Sequence, residues 1–225
     1  MRPPEPAGAS PNILWICTDQ QRWDTIGALG NPHVRTPHLD RLVREGVAFT
    51  HAYCQAPICT PSRASFLTGW YASTVHACTN GNERWDGAAP LVTRLLADAG
   101  YDCGLAGKLH LSAASGRVER RDPQWDGYRV FHWSHDSRDQ WAEGHAYRDW
   151  LAAQGHDPRA LREDPSALPP ALHQTTWCTE MAIRHLEDHR VLSIEAGEIE
   201  ELVDRESRHL LAKAGVLDRV IGGQI

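Results

Sequence analysis

A cysteine that precedes a proline, a serine and an arginine offers the clearest chemistry in this sequence. Residues 59–63 read Cys-Thr-Pro-Ser-Arg, and Gly69 follows. Pro61 suits the first turn of a helix that Gly69 would end, so Cys59 would lie at the positive end of the helix dipole, beside N–H donors that favour a thiolate or an anionic adduct. Arg63, one helical turn later, would lie on the same face and steady a modified side chain. These residues by themselves indicate an activated cysteine at an anion-binding helix start, with a buried structural cysteine as the alternative.

Two further groups of polar residues follow predicted strands. Residues 12–18 form an apolar run that is typical of a strand buried on both faces, and Asp19 comes directly after it. An acidic residue just past the carboxyl end of such a strand is well placed for a site. Lys108 and His110 follow a predicted strand at 101–107 and alternate by two, so both side chains can face one side. Taken singly, these residues are explained as well by a turn after a strand or by a solvated strand end.

The elements that would position these residues alternate along the chain. We predict strands at 12–18, 47–53 and 101–107, and helices at 36–46, 61–69, 90–100 and 172–190. Thr36 is the expected cap of its helix. The pattern weakens between residues 112 and 170, and we interpret 132–136 as a loop. Strands that alternate with helices predict an α/β arrangement.

The bulk composition disfavours several classes of function. The chain has 225 residues, 41% of them hydrophobic and 23% charged, which is ordinary for a soluble globular protein. Its net charge is −6 and it has no long basic cluster, so we expect no nucleic-acid partner. No apolar run is long enough to span a membrane, and residues 1–10 lack a signal-peptide run, so we expect a cytoplasmic protein with no membrane partner. The six cysteines include no Cys-x-x-Cys pair, which disfavours a zinc site.

The segments that carry the chemistry resemble the sulfatase family. Residues 59–63 resemble the sulfatase active-site motif, in which the cysteine is converted to formylglycine, and residues 107–111 resemble the family's Gly-Lys-Trp-His motif. Residues 11–20 are similar to the family's first strand, and residues 31–40 to the segment that precedes its first helix. The resemblance implies an α/β, alkaline-phosphatase-like sandwich with a central, largely parallel or mixed sheet flanked by helices, which we expect to be truncated here.

The resemblance also implies a catalytic set around Cys59. The formylglycine would be hydrated to a diol, of which one hydroxyl attacks the sulfur of a sulfate ester while the second later helps to expel sulfate. A divalent cation, most often Ca²⁺ with Mg²⁺ or Mn²⁺ as alternatives, would be held by Asp19 and the modified Cys59. Arg63 would steady the modified side chain. Lys108 would neutralise sulfate charge, and His110 would hydrogen-bond the diol or the leaving oxygen.

A weaker match concerns the substrate. Residues 76–80 resemble a segment of the choline-sulfatase and phosphonate-monoester-hydrolase branches that contains an active-site Asn. Asn80 is therefore a predicted substrate or sulfate contact, with a simple turn as the alternative. Many sulfatases have a second Asp where this chain has Gln20. We predict an arylsulfatase-like sulfuric ester hydrolase; the alternatives are a phosphonate or phosphodiester hydrolase of the same superfamily and an inactive truncated remnant.

Three segments are expected along the chain: a flexible N-terminus at 1–10, the N-terminal part of a sulfatase catalytic domain at 11–189, and a helical tail at 190–225 that does not resemble the family. In the family, the Asp-His or Asp-Asn pair that completes the metal site comes later than the helix at 172–190, after a strand and a His-Pro-containing loop, and we find none of these segments here. We therefore expect the chain by itself to show little or no turnover. The implied partners are a small-molecule sulfate ester and a formylglycine-generating enzyme or an equivalent maturase.

Overall fold

A parallel pair of strands lies at the centre of the molecule. The computed structural model describes residues 11–81, 89–114, 119, 122–135, 142–163 and 168–188. Strand β1 (Cys103–Gly107) pairs in parallel with β2 (Tyr128–Trp133), with Gly104 opposite Val130 and Gly107 opposite Trp133. Every residue of β1 is buried, as expected for a strand covered on both faces. The strand predicted at 101–107 is thus confirmed.

Strand β2 lies in the stretch where the sequence pattern is weak. Between its buried ends Arg129 is exposed and residues 130–132 are half-buried, so the strand shows neither continuous burial nor a clean alternation. The interpretation of 132–136 as a loop is wrong for His132 and Trp133, because both belong to β2. Burial of Trp133 to 2% exposure fixes the end of this strand against the core.

Seven α-helices surround the strands in the described part of the chain. They are α1 (Pro37–Glu45), α2 (Cys59–Thr68), α3 (Val92–Asp98), α4 (Pro123–Asp126), α5 (Ala146–Ala153), α6 (Pro158–Glu163) and α7 (Gln174–Asp188). Short 3-10 turns occur at Trp23–Thr25, Gly27–Leu29 and Pro170–Leu172. The four predicted helices correspond to α1, α2, α3 and α7. Helix α2 begins at Cys59 rather than at Pro61, and Gly69 ends it with a φ of 73°.

Thr36 stands before α1 as expected, but its side chain makes no capping hydrogen bond to that helix. Its hydroxyl oxygen instead accepts from the Gly27 N–H at 2.8 Å and donates to Asp40 Oδ1 at 2.8 Å. Thr36 therefore links α1 to the preceding turn and does not cap the N–H groups at the start of α1.

Helices pack on both faces of β1, which confirms the α/β class. One core cluster joins α2 and α3 to the strands through Leu67, Leu91, Leu105 and Trp133. A second cluster joins α5 and α7 to the other face of β1 through Tyr147, Leu151 and Trp177 around Ala106. Gly104 permits the close approach of α7, because a Cβ there would lie 2.8 Å from His185 Nε2.

The predicted strands at 12–18 and 47–53 are wrong for this structure, since neither segment is a strand. A strand requires a neighbour whose N–H and C=O groups complete the ladder, and no described segment pairs with either one. Leu14, Trp15 and Ile16 are 37–41% exposed, and Phe49 is 80% exposed. Their apolar side chains therefore lack the burial on two faces that the sequence pattern indicated.

No helix among the described residues has the length and apolar character needed to cross a membrane. The expected N-terminal segment 1–10 and the tail at 190–225 lie outside the described residues.

Candidate active site

Cys59 is the first residue of α2, and Ile58 before it is extended. The Thr60 N–H donates to Asn80 Oδ1 at 3.0 Å, and the Ser62 N–H bonds inside the helix start to the Ile58 carbonyl at 2.9 Å. Pro61 has no N–H to satisfy. The side chain of Cys59 itself is half-buried at this helix start.

Asn80 is held at this helix start. Its amide oxygen accepts from Thr60, and the Gly81 N–H donates to Thr60 Oγ1 at 3.3 Å. These two bonds tie the exposed segment at 80–81 to α2. The predicted substrate contact of Asn80 stays a prediction, and the contact seen here is a capping one.

Lys108 and Asp19 form an ion pair next to Cys59. Lys108 Nζ lies 2.8 Å from Asp19 Oδ2 and 3.7 Å from Cys59 Sγ. Lys108 is only 4% exposed, whereas the Asp19 side chain is 22% exposed. The ammonium group is therefore held between a carboxylate and the cysteine sulfur in a place with little water.

Arg63 contributes a second cation. Its Nη2 lies 3.4 Å from Asp19 Oδ1, and its Nη1 donates to the Lys108 carbonyl oxygen at 3.0 Å. Arg63 is 3% exposed and lies one turn after Cys59 on α2. It thus connects α2 with the end of β1, and the sequence prediction that Arg63 and Cys59 share a helix face agrees with this arrangement.

Two cations and one carboxylate meet beside Cys59. Burial by itself would raise the pKa of Asp19, but Lys108 and then Arg63 outweigh burial and hold that pKa below its usual value. Lys108 and Arg63 are thus two cations that face the Asp19 carboxylate beside the cysteine. Such a place favours an anion, and a sulfate or phosphonate group would satisfy it.

His110 lies past the end of β1, in a turn. It has a φ of 55°, so the alternation by two that a strand would impose does not describe its relation to Lys108. Its ring meets His135 edge to face, with centroids 4.3 Å apart. Its Nδ1 is buried and has no hydrogen-bond partner among the described residues. No described hydrogen bond joins the imidazole to Cys59.

The protonation state of His110 follows from its surroundings. Burial is the main cause that lowers its pKa to about 3; electrostatic interactions with His135, Lys108 and Arg63 act in the same direction, and Asp19 opposes them. The imidazole is therefore uncharged at neutral pH. An uncharged ring can donate or accept a hydrogen bond near the site, but it does not add to the positive charge there.

The described residues do not by themselves fit a divalent cation. No group of three or more His, Cys, Asp or Glu side chains in the described ranges could hold a metal ion. Asp19 pairs with the lysine that lies beside Cys59, and both of its oxygens face cations. Ca²⁺ takes about six to eight oxygen ligands, far more than this set offers.

Glu119 is a residue near the site that the sequence did not reveal. It is 2% exposed and accepts hydrogen bonds from the backbone at His110 and Ser112 and from the Trp133 indole. No local pattern marks it, because its partners come from the turn after β1 and from the end of β2. Only the packing of these elements brings them to one carboxylate.

Comparisons with known proteins point to one family. A family model described as Sulfatase matches residues 11–155. The chain is 42% identical over 119 residues to a steryl-sulfatase of Mus musculus, which covers 48% of this chain and 19% of the relative. It is 40% identical over 134 residues to an ulvan-active sulfatase of Formosa agariphila, which covers 56% of this chain and 25% of the relative.

The fold of this chain is also similar to that of a solved structure. The crystal structure of a phosphonate monoester hydrolase of Agrobacterium radiobacter matches with a TM-score of 0.57 and 26% identity, and the match covers 76% of this chain and 37% of that chain. The arrangement is thus of the alkaline-phosphatase-like kind. The matches to the two curated relatives span about a fifth to a quarter of their lengths.

Proposed function

This chain belongs to the sulfatase family, and on that basis we propose that it is the nucleophile-bearing part of an arylsulfatase-like sulfuric ester hydrolase. The observation that carries the proposal is the position of Cys59 at the start of α2, with Lys108 Nζ 3.7 Å from its sulfur. Arg63 and Asp19 complete the surrounding charges. A sulfate ester is a small anion that the ammonium of Lys108 and the guanidinium of Arg63 would attract.

We propose Cys59 as the site of formylglycine formation. The hydrated aldehyde would supply an oxygen nucleophile for the sulfur of the ester. Residues 57 and 58 before it are exposed, and Cys59 itself is half-buried, which supports access by a formylglycine-generating enzyme or an equivalent maturase. The start of α2 favours negative charge on the residue at this position.

The residues around Cys59 then have separate roles in the proposal. Lys108 would neutralise the oxygens of the sulfate group, since its ammonium lies nearest to the sulfur of Cys59. Arg63 would hold the Lys108 backbone through the 3.0 Å bond to its carbonyl and would add a second positive charge. Asp19 keeps Lys108 charged and in place through the 2.8 Å ion pair.

His110 would act as an uncharged hydrogen-bonding group. Its Nδ1 is buried and unpartnered among the described residues, so a substrate oxygen could satisfy it. With a pKa of about 3, the ring holds no second proton at neutral pH that it could give away as an acid. Its proposed role is to hydrogen-bond the nucleophile or the leaving oxygen rather than to protonate it from a standing imidazolium.

The proposal assigns only two ligands to a divalent cation. Asp19 is the carboxylate that would contact Ca²⁺, or alternatively Mg²⁺ or Mn²⁺, together with the modified Cys59. The described residues offer too few oxygens, so such an ion requires further ligands, and we derive no step from it.

Phosphonate ester hydrolysis is a second candidate function. It is supported by the structural likeness to a phosphonate monoester hydrolase and by Gln20 in the place where many sulfatases have a second Asp. The matched family and the relatives named sulfatases support the sulfate ester more strongly. An inactive remnant is the third candidate and predicts no Cys59-dependent chemistry at all.

The test compares two substrates on the same protein. The chain is coexpressed with a formylglycine-generating enzyme, conversion of Cys59 is measured by peptide mass spectrometry, and cleavage of nitrophenyl sulfate and of a nitrophenyl phosphonate ester is followed with C59A as the control. We expect conversion and a slow, Cys59-dependent cleavage of the sulfate ester. Faster cleavage of the phosphonate would establish the second candidate, and an unconverted Cys59 without cleavage would establish the third.

A further inference from the structure

Glu119 is a buried carboxylate that four N–H groups surround. The His110 N–H donates to its Oε2 at 2.6 Å, and the Ser112 N–H donates to its Oε1 at 2.9 Å. The Leu111 N–H also donates to Oε1, and Trp133 Nε1 donates to Oε2 at 3.0 Å. Both oxygens are therefore satisfied although the residue is 2% exposed.

The three backbone donors are consecutive, and the first belongs to a residue with unusual backbone geometry. His110 has a φ of 55°, the left-handed region, which for a residue other than glycine costs about 1 kcal/mol or more. A residue in the left-handed region turns the N–H groups of successive residues toward one side, which makes a concave site for an anion. The Glu119 carboxylate occupies that site, so its bonds offset the strain at His110.

The negative charge of Glu119 has no cationic partner within the described ranges, where no Lys or Arg forms an ion pair with it. The partners that stabilise it among these residues are amide and indole N–H groups. A buried carboxylate that lost these donors would be costly, and three amides that lost the carboxylate would be unsatisfied. The arrangement is therefore mutually dependent: the turn holds Glu119, and Glu119 holds the turn.

This turn connects to the site on one side and to the sheet on the other. Lys108 precedes His110 by two residues, and its side chain reaches Asp19 and Cys59. Trp133 ends β2 opposite Gly107, the last residue of β1. Glu119 thus ties the backbone just after Lys108 to the end of the neighbouring strand.

We propose that Glu119 is a positioning residue, whose carboxylate holds the turn at residues 110–112 so that Lys108 and His110 lie where the site requires them. Its catalytic consequence rests on the proposed function. The hydrogen bonds between Glu119 and residues 110–112 do not depend on the proposed function, so these bonds and their catalytic consequence can be tested separately.

The first test measures amide hydrogen exchange by NMR in the wild-type chain, in E119Q and in E143Q. The isosteric E119Q keeps one acceptor oxygen but places an NH₂ group against N–H donors, whereas Glu143 is exposed and gives a matched control. We expect the amides of residues 110–112 to exchange at least tenfold faster in E119Q than in wild type, with no change in E143Q. Equal exchange rates in E119Q and wild type, at equal global stability, would overturn the proposal.

The second test reports on Lys108 without any need for turnover. In the unconverted chain, alkylation of Cys59 by iodoacetamide is followed by peptide mass spectrometry, with the exposed Cys54 as the internal reference. A nearby ammonium favours the reactive thiolate. We expect the ratio of the Cys59 rate to the Cys54 rate to fall severalfold in E119Q and to stay constant in E143Q. A ratio that is unchanged or raised in E119Q would overturn the positioning role.

If E119Q fails to fold, a second variant keeps the proposal testable. E119D keeps the charge but shortens the side chain by one methylene, and the same two measurements apply to it. In the wild type alone, amides at 110–112 that exchange at the rate of unprotected amides would also overturn the proposal. If instead these amides are protected but Cys59 is not converted and no sulfate ester is cleaved, the proposed function fails while the Glu119 contact stands.

Discussion

Lys108 and Asp19 are 89 positions apart in the chain, yet the lysine ammonium lies 2.8 Å from an oxygen of the aspartate. The pair joins the segment before the first 3-10 turn to the end of β1. Since Arg63 from α2 contacts the same carboxylate, three distant segments meet at Asp19. These contacts bring the cations of Lys108 and Arg63 together beside Cys59, and the predictions below follow from this arrangement.

Replacement of Lys108 by Met should reduce both stability and activity. The change leaves Asp19 with Arg63 alone, so we expect a loss of about 1–3 kcal/mol in the free energy of unfolding. Cys59-dependent cleavage of the sulfate ester should fall about 100-fold, because the cation nearest to the sulfur is lost.

The control for this variant is R159M, which breaks the exposed pair between Arg159 and Glu163. Because both side chains of that pair are exposed, its loss should change the free energy of unfolding much less than the loss of Lys108 does. Urea unfolding measures the stabilities, and initial rates measure the activity. Equal losses in K108M and R159M would contradict the role given to Lys108.

His110 should make the protein less stable in acid. Its folded pKa of about 3 lies below the ordinary value of 6.5, so between these values the unfolded chain binds a proton that the folded chain does not. Stability therefore falls as the pH drops from about 6.5 toward about 3, by about 2 kcal/mol between pH 7 and pH 5. H110N should remove this part of the pH dependence.

The measurement for His110 is the free energy of unfolding in urea at a series of pH values. H156N, at an exposed histidine in the turn after α5, serves as the control and should keep the wild-type pH dependence. The same pH dependence in H110N and wild type would show that the folded protein does not exclude the proton from His110.

Substitution at Asn80 should separate a capping role from a substrate contact. N80A removes the acceptor of the Thr60 N–H, so we expect a loss of about 0.5–2 kcal/mol in stability. N80D keeps an acceptor oxygen and should retain most of that stability. If Asn80 also contacts the sulfate group, the added negative charge of N80D should raise KM for the sulfate ester well above that of N80A. Unchanged stability in N80A would contradict the capping contact.

Binding of Ca²⁺ by the chain should be weak. Asp19 is one carboxylate, and its oxygens already face Lys108 and Arg63, so we expect a Kd of about 1 mM or weaker. Isothermal titration of the converted chain, with D19N as the control, gives this value. For the same reason turnover should be slow. A micromolar Kd, or robust hydrolysis of nitrophenyl sulfate by the purified chain, would contradict this.

Local sequence was sufficient for part of the fold. Pro37 and Gly69 mark a helix start and a helix end because their backbone preferences act within one turn of chain. The continuous burial of β1 agrees with its apolar run. The same reasoning failed at 12–18 and 47–53, where an apolar run exists but no described segment completes the ladder.

The sequence by itself determined the chemical types and their local spacing: a cysteine at a helix start, an arginine one turn later, and a lysine and a histidine after a strand. These are set by contacts between near neighbours in the chain. Tertiary structure alone decided that Lys108 pairs with Asp19, that the pKa of His110 falls to about 3, and that Glu119 binds the turn after β1. Such properties depend on burial and on charges brought together from distant segments, and no local pattern of residues encodes either one.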